Sequence, residues 1–199
     1  MSVKRYHAAK IKANKYNLIK EPALYSQHKP HNFEPIRFSD KEYAKITQSL
    51  VIACTDALII DRKKQTVFLA KRRAKPAANK WWYIGGRTFA GETPKESIQR
   101  CFKRETKLKL PICRFKFINT QVFICNERQQ YPQNLGYHAI SFAFIVELTS
   151  KERIKVASSL DTAEYQTGFG LKEFSRKELV EERVHPAILE SYDRVFKTN

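Results

Sequence analysis

The stretch that decides the fold is residues 85–108, which read GGRTFAGETPKESIQRCFKRETKL. Gly85 and Gly86 end a short aromatic strand that begins at Trp81, and a loop follows them. The helix after this loop carries Arg100 and Glu105 back toward whatever the loop holds. A strand, a glycine turn and a helix that bears a carboxylate together predict a site for a diphosphate and a metal ion.

The start of this helix is marked by its capping residues. Thr93 is a residue type that caps helices, Pro94 takes the first helical position, and Glu96 completes the pattern of a capping box. Apolar residues recur at helical spacing and predict one buried face, formed by Ile98, Cys101, Phe102 and Leu108.

Patterns on either side of the motif predict a single mixed α/β (α+β) domain, with the order strands, helix, strands, helix. The expected strands cover 50–60, 66–72, 81–86, 118–126 and 138–148. The expected helices cover 94–108, 176–182 with Ser175 as N-cap, and 186–196, while 41–50, with Asp40 as N-cap, is expected to be a helix or a turn. Residues 149–171 are polar and are expected to be irregular, and a short helix over 4–17 is left open.

Length and composition divide the chain of 199 residues into a basic extension over 1–38 and one domain over 39–199. No apolar run approaches the roughly 18 residues that span a membrane, and the N-terminus lacks an apolar signal region. The four cysteines sit among apolar neighbours without paired ligand spacing, which indicates reduced thiols of a cytoplasmic protein and not zinc. Whether the extension covers the site or makes dimer contacts is left open.

The net charge of +17 comes from 37 Lys and Arg against 20 Asp and Glu. Such an excess attracts phosphates and polyanions, and it does not distinguish a nucleotide from nucleic acid. No known nucleic-acid-binding motif is present, so nucleic acid stays an unsupported partner. Three arginines from different elements, Arg72, Arg87 and Arg100, could converge on one anion.

The stretch 86–108 resembles a Nudix box, whose pattern is G-x5-E-x7-R-E-U-x-E-E-x-G-U with U apolar. Cys101 and Arg104 stand where the pattern has two metal-binding glutamates, and Lys107 stands where it has glycine. The resemblance implies the Nudix fold, an α/β/α sandwich with a mixed β-sheet. The positions that match are Gly86, Glu92, Arg100, Phe102, Glu105 and Leu108.

A wider resemblance, over about residues 38–190, is to the GDP-mannose mannosyl hydrolase branch, which also works with a reduced set of glutamates. That branch cleaves at the sugar carbon of a nucleotide sugar. The further positions that carry this resemblance are Asp56, Lys71, Arg72, Lys75, Pro76, Ala77, Trp82, Gly85, Arg87, Thr93, His138, Val184 and His185.

The resemblance implies a Mg²⁺ (or Mn²⁺) ion held by the Gly85 carbonyl, Glu105 and Gln166. It also implies that Arg72, Arg87 and Arg100 contact the diphosphate or orient carboxylates, that Asp56 holds the sugar, and that His138 lies near the sugar or the leaving group. One of Trp81 and Trp82 is expected to reach the cleft as a stacking platform, since the two alternate across a strand.

The general base is left open, because the branch keeps a histidine after its late glutamine and none follows Gln166 here. The candidates are Glu164, Asp161 and His138. Arg100 is expected to pair with a carboxylate such as Glu92, and His185 to start a helix.

Two functions follow from these patterns. The first is a Mg²⁺-dependent hydrolase of a nucleoside-diphosphate-linked substrate, with a nucleotide sugar as the expected class. The alternative is a catalytically inactive Nudix domain that binds a nucleotide or RNA as a sensor or adaptor. A homodimer is left open in both.

Overall fold

The structure is a computed structural model that describes residues 21–24 and 33–197. Its strands are β1 (Ile52–Asp61), β2 (Thr66–Lys71), β3 (Trp81–Trp82), β4 (Ile84–Arg87), β5 (Lys116–Cys125), β6 (Tyr137–Glu147) and β7 (Leu171–Phe174). Its helices are α1 (Asp40–Ser49), α2 (Pro94–Thr106), α3 (Ser150–Ser159), α4 (Arg176–Glu181) and α5 (Pro186–Phe196). None of the helices in this part of the chain has the length and apolar character needed to cross a membrane.

All seven strands form one mixed sheet with β1 at its centre. β1 runs parallel to β6 and antiparallel to β2 and β4, while β3 and β7 pair with β2, and β5 pairs with β6. Four successive β1 residues, Ala57 to Ile60, are at most 1% exposed. A central strand with both faces covered requires such a continuous apolar run.

Helices cover both faces of the sheet and produce the expected α/β/α sandwich. Phe102 of α2 and Val156 of α3 belong to the core cluster on one face. Leu179 of α4 and Ile188 of α5 belong to the cluster on the other face. The fold class expected from the sequence is therefore confirmed.

Helix α2 begins as its sequence predicts. Thr93 is the N-cap, and the capping box with Glu96 is complete in both directions. The C-cap that follows the helix is Lys107. Its φ of 56° is the left-handed conformation that a glycine usually supplies at this position. Lys107 therefore preserves the turn of the box although it replaces the glycine.

Several expected elements differ from the structure. Residues 149–171 are not wholly irregular, because they include α3, whose N-cap Thr149 forms a capping box with Glu152, and the start of β7. Strand 81–86 divides into β3 and β4, since the chain changes partner from β2 to β1 at Tyr83. Helix α1 is capped by Ser39 instead of Asp40, because Ser39 accepts the hydrogen bond from Glu42 N.

The extension meets the domain beside the start of α2. Glu21 pairs with Lys95 at 2.6 Å, and the ring of Phe33 lies against Gly91. The boundary between 38 and 39 stays a prediction, and the short helix considered over 4–17 lies outside the described residues.

The first prediction concerns the close approach of β4 to β1. A Cβ at Gly85 would lie 2.2 Å from the Thr55 carbonyl oxygen, so Gly85→Ala should lower the free energy of unfolding by about 1–3 kcal/mol. Gly86→Ala is the matched control, because its Cβ would meet only the flexible end of Arg104 at 2.8 Å and Cys101 Sγ at 3.3 Å. Urea unfolding measures the free energy of unfolding of both variants. Equal losses of stability would contradict the predicted clash between a Cβ at Gly85 and the Thr55 carbonyl.

Candidate functional site

A cavity of about 850 Å³ opens where β1, β4 and β6 meet the end of α2 and the start of α5. Its wall is rich in charge, with seven Lys and Arg side chains against four Asp and Glu, so it favours an anionic ligand. The cations are Arg72, Lys75, Lys80, Arg87, Arg104, Arg128 and Arg183, and the carboxylates are Asp56, Glu105, Glu127 and Glu164.

Glu105 is the buried polar centre of the site. Its side chain is only 1% exposed and accepts hydrogen bonds from three sides: from Gly85 N at 3.2 Å, from the Tyr165 hydroxyl, and from the Arg104 guanidinium. Burial raises the pKa of Glu105, while the charge of Arg104 and the Tyr165 hydroxyl lower it. A buried carboxylate needs such donors to stay in the interior.

Arg104 contacts the two oxygen atoms that the family resemblance implies as ligands of a metal ion. Its Nη2 is hydrogen-bonded to Glu105 Oε1 and lies 3.5 Å from the Gly85 carbonyl oxygen. Gly86 leaves room for this group, since a Cβ there would lie 2.8 Å from Nη2. The side chain is 42% exposed, so its outer edge remains open to the cavity.

Asp56 lies next to Gly85, because these two residues pair between β1 and β4. One oxygen of Asp56 accepts a hydrogen bond from the Ser141 hydroxyl, and the other lies over Gly85. Burial raises the pKa of Asp56 to about 6, although the hydrogen bond from Ser141 and the charge of Arg72 lower it. Its carboxyl group therefore titrates closer to neutral pH than an ordinary aspartate.

Arg72 and Glu164 both line the cavity and form an ion pair. Arg72 Nη2 lies 3.1 Å from Glu164 Oε2, and its side chain is 14% exposed. The bridge between Arg72 and Tyr165 holds the loop of Glu164 against β2. Of the three candidate bases, Glu164 alone lines the cavity, whereas the Asp161 side chain accepts from Ala163 N in its own turn.

The other two arginines of the motif differ in role. Arg87 lines the cavity with its guanidinium 3.9 Å from the ring centroid of Tyr43. Arg100 instead points away from the cavity and binds both Glu92 oxygens and the Arg87 carbonyl. This pairing with Glu92 is the structural arrangement expected from the sequence, and it leaves Arg100 outside the cavity wall.

Three aromatic side chains that lie against one another also line the cavity. The Trp82 ring lies 5.2 Å from His185 and 5.7 Å from Phe123, centroid to centroid. His185 is the N-cap of α5, as expected, and its Nδ1 accepts from Ala187 N. Trp81 faces the core instead, with its ring 5.2 Å from Phe174.

His138 and Gln166 are not brought into the cavity. Strand alternation places His138 on the opposite face of β6 from Ala139 and Ser141, which line the cavity. The Gln166 amide donates to Asn79 Oδ1 at 2.5 Å, and its backbone N–H to the Lys71 carbonyl. The Gln166 side chain is therefore bonded to Asn79 and does not line the cavity.

The oxygen atoms at the motif do not fit a divalent ion as they are arranged. Glu105 already accepts three hydrogen bonds, and the guanidinium of Arg104 lies between its carboxylate and the Gly85 carbonyl. Across residues 21–24 and 33–197, no three His, Cys, Asp or Glu side chains are grouped in a way that could hold a metal ion. Mg²⁺ generally requires several oxygen ligands in an octahedral arrangement.

Sequence patterns missed four side chains that line or support the site. Tyr165 and Ser141 supply the hydroxyls to Glu105 and Asp56, but a single Tyr in a loop or Ser in a strand gives no signal. Lys80 and Arg183 line the cavity without a salt bridge to any residue within the described ranges. Their positions depend on where two distant loops lie in the fold.

The model of the NUDIX domain matches residues 52–192. No curated protein sequence matches the chain. Solved structures with the same fold include a MutT NUDIX hydrolase from Burkholderia pseudomallei, at 18% identity and a TM-score of 0.57, covering 74% of this chain and 99% of that one. A NUDIX hydrolase from Nitrosomonas europaea has 17% identity and a TM-score of 0.54, covering 73% of this chain and 88% of the other.

NrtR from Shewanella oneidensis, solved with a 27mer DNA, has 14% identity and a TM-score of 0.50, covering 72% of this chain and 61% of that one. At these identities the structural likeness concerns the fold alone. The match to the domain model covers most of the chain and coincides with the strand, glycine turn and helix that build the cavity. The chain therefore belongs to the Nudix family.

Proposed function

We propose that this protein hydrolyses a nucleoside-diphosphate-linked small molecule in the cavity, and that the substrate is a nucleotide sugar. The observation that carries the proposal is one cavity lined both by several cationic side chains and by the aromatic rings of Trp82, Phe123 and His185. A diphosphate needs the cations, and a nucleobase can stack on the rings. The volume of about 850 Å³ lies in the range of ligand cavities.

The diphosphate is placed beside the motif. Arg87 and Arg104 reach the cavity from β4 and α2, and Arg72 from the end of β2. Guanidinium groups suit phosphate oxygens, because their donors are planar and can bind two oxygens at once. Lys80 and Arg183 add two further charges that no described carboxylate neutralises.

The nucleobase is placed against Trp82, with Phe123 and His185 beside it. All three rings line the cavity, and Trp82 is partly buried, so its exposed face is held rigidly. A rigid aromatic face binds a base with little loss of conformational entropy.

Asp56 is the residue that accepts a proton from the attacking water. Its carboxyl group lines the cavity, has one oxygen outside the bond from Ser141, and has a pKa of about 6. A base with a pKa near the working pH combines the ionised state with useful basicity. Glu164, which the sequence offered for this role, is occupied by Arg72.

Nudix hydrolases generally use divalent metals. The Mg²⁺ or Mn²⁺ ion expected from the sequence has no fitting set of ligands here, so the proposed reaction contains no step through a metal ion. The arginine side chains stabilise the charge that develops on the departing diphosphate, as pre-organised donors do in other hydrolytic sites.

The second prediction is turnover of a nucleotide sugar. Incubation with GDP-, UDP- and ADP-sugars, each with and without Mg²⁺ or Mn²⁺, should release free sugar and the nucleoside diphosphate from at least one member. A reducing-sugar assay measures the free sugar, and phosphate detection after treatment with alkaline phosphatase measures the nucleoside diphosphate, as well as the monoesters that cleavage of a P–O bond would give. A folded sample that releases neither product from any member, under every condition, would overturn the proposed hydrolysis.

The third prediction uses the pKa of Asp56. The value of kcat/KM should fall about tenfold per pH unit below about pH 6, because protonated Asp56 cannot accept a proton. Ser141→Ala removes a hydrogen bond that lowers this pKa, so the inflection should move to higher pH. An unchanged inflection in Ser141→Ala would exclude Asp56 as the titrating group.

Asp56→Asn separates catalysis from folding. Because burial raises the pKa of Asp56 above its unfolded value, the wild-type protein loses stability as the pH rises from about 4 to about 6. The asparagine variant avoids that loss and should be more stable at pH 7, by at most about 3 kcal/mol, while its activity disappears. Urea unfolding of the wild-type protein and the variant at pH 4 and at pH 7 measures the difference in the free energy of unfolding.

The fourth prediction compares the two neighbouring tryptophans. Trp82→Leu should weaken nucleotide binding about tenfold, since one aromatic contact contributes roughly 1–1.5 kcal/mol. Trp81→Leu should lower stability and leave the Kd of the folded protein unchanged, because Trp81 packs against Phe174 in the core. Calorimetric titration with GDP and ADP gives both Kd values, and equal effects would contradict this placement of the base.

A further inference from the structure

Arg104 stands directly before Glu105 in the stretch that resembles the Nudix box. At this point of the Nudix box pattern a glutamate stands, and here a residue of opposite charge takes its place. Its Nη2 contacts both the Glu105 carboxylate and, at 3.5 Å, the Gly85 carbonyl oxygen. These are the two oxygens that the family resemblance assigns to a metal ion, so one cationic group lies between the two assigned ligands.

The surroundings of Arg104 are shaped to receive it. Gly86 has no side chain, and a Cβ there would lie 2.8 Å from Nη2 and 3.3 Å from Cys101 Sγ. Cys101 replaces the other glutamate of the box and is fully buried beside the motif. Relative to the Nudix box pattern, this chain therefore lacks two carboxylates and carries one guanidinium group at the same place.

The charge balance follows from the burial of Glu105. Its side chain is 1% exposed, and the Arg104 cation lowers its pKa and so offsets part of the increase that burial causes. The guanidinium has five N–H donors, and the contacts with Gly85 and Glu105 both involve Nη2, so the outer donors remain for a ligand. The side chain lines the cavity and is 42% exposed, which makes those donors reachable.

The remaining carboxylates of the cavity do not replace the lost ligands. Asp56 is bonded to Ser141, Glu164 to Arg72, and Glu127 to Lys75. Within the described residues, no three His, Cys, Asp or Glu side chains are grouped so that they could hold a metal ion. A divalent ion at Gly85 and Glu105 would therefore have to displace the Arg104 cation and would lie close to its charge.

We infer that Arg104 is a built-in cation that takes the place of the divalent metal, so that the cavity binds a diphosphate without Mg²⁺ or Mn²⁺. The inference rests on the proposed function, because it concerns the same diphosphate in the same cavity. Arg104 binds the phosphate oxygens through its outer N–H groups, while Glu105 holds its inner edge in place. The cost of bringing a metal ion to the site is absent.

The fifth prediction tests metal-free binding. Calorimetric titration of the EDTA-treated protein with GDP and ADP should give a Kd that added Mg²⁺ changes by less than about twofold. Arg104→Gln should weaken this binding by about 10- to 100-fold, because a charge-assisted hydrogen bond is lost. Lys103→Gln is the matched control: it removes the same charge from an exposed neighbour on α2 that does not line the cavity, and it should change little.

A second measurement uses the metal itself and needs no nucleotide. Electron paramagnetic resonance with Mn²⁺ should show no bound ion in the wild-type protein. Arg104→Glu restores the carboxylate of the box pattern and should create a Mn²⁺ site that Glu105→Gln then removes. If Arg104→Glu does not fold, the wild-type spectrum and the Arg104→Gln titration still decide the question.

The outcomes separate the inference from the proposed function. Nucleotide binding that requires Mg²⁺ or Mn²⁺, or a wild-type Mn²⁺ site that depends on Glu105, overturns the inference and leaves the proposed substrate class intact. Metal-free binding without turnover supports the inference and overturns the hydrolysis. No binding of any nucleoside diphosphate or nucleotide sugar, with or without metal, overturns the proposed function and the inference with it.

Discussion

The arrangement of the site depends on one buried carboxylate. Glu105 joins three parts of the chain that are distant in sequence, since it accepts from Gly85 on β4, from Tyr165 in the loop before β7, and from Arg104 beside it on α2. A carboxylate that is 1% exposed is stable only when donors surround it, so these three contacts have to be kept together. They hold the glycine turn, the helix end and the late loop in one fixed arrangement around the cavity.

The cavity stays positive although two of its carboxylates are paired with arginines. Glu105 and Glu164 each neutralise one arginine, and the remaining cations of the wall exceed the remaining carboxylates. Buried ion pairs of this kind contribute little net stability, because desolvation offsets attraction. Their effect here is to fix the direction of Arg72 and Arg104, which then face the cavity with pre-organised donors.

Much of the fold was predictable, because it depends on local patterns. The capping residues of α2, the apolar run of β1 and the helix start at Pro186 are each encoded within a few residues. Helix α3 was missed although Thr149 and Glu152 carry a capping box, because its buried face is reduced to Val156 and gives little periodicity. Strand β7 was missed because it is four residues long and its pairing with β2 is not visible in sequence.

For the site, the sequence by itself determined the residue types: the glycine turn, Glu105, the two lost glutamates and the arginines. Only the tertiary structure decided which of them meet. Strand alternation turns His138 away from Ser141, hydrogen bonding draws Gln166 to Asn79 and Arg100 to Glu92, and the absence of a side chain at Gly86 lets Arg104 reach Gly85. Such contacts join residues far apart in the chain, and their geometry depends on how the strands pair and the loops pack, which no local pattern encodes.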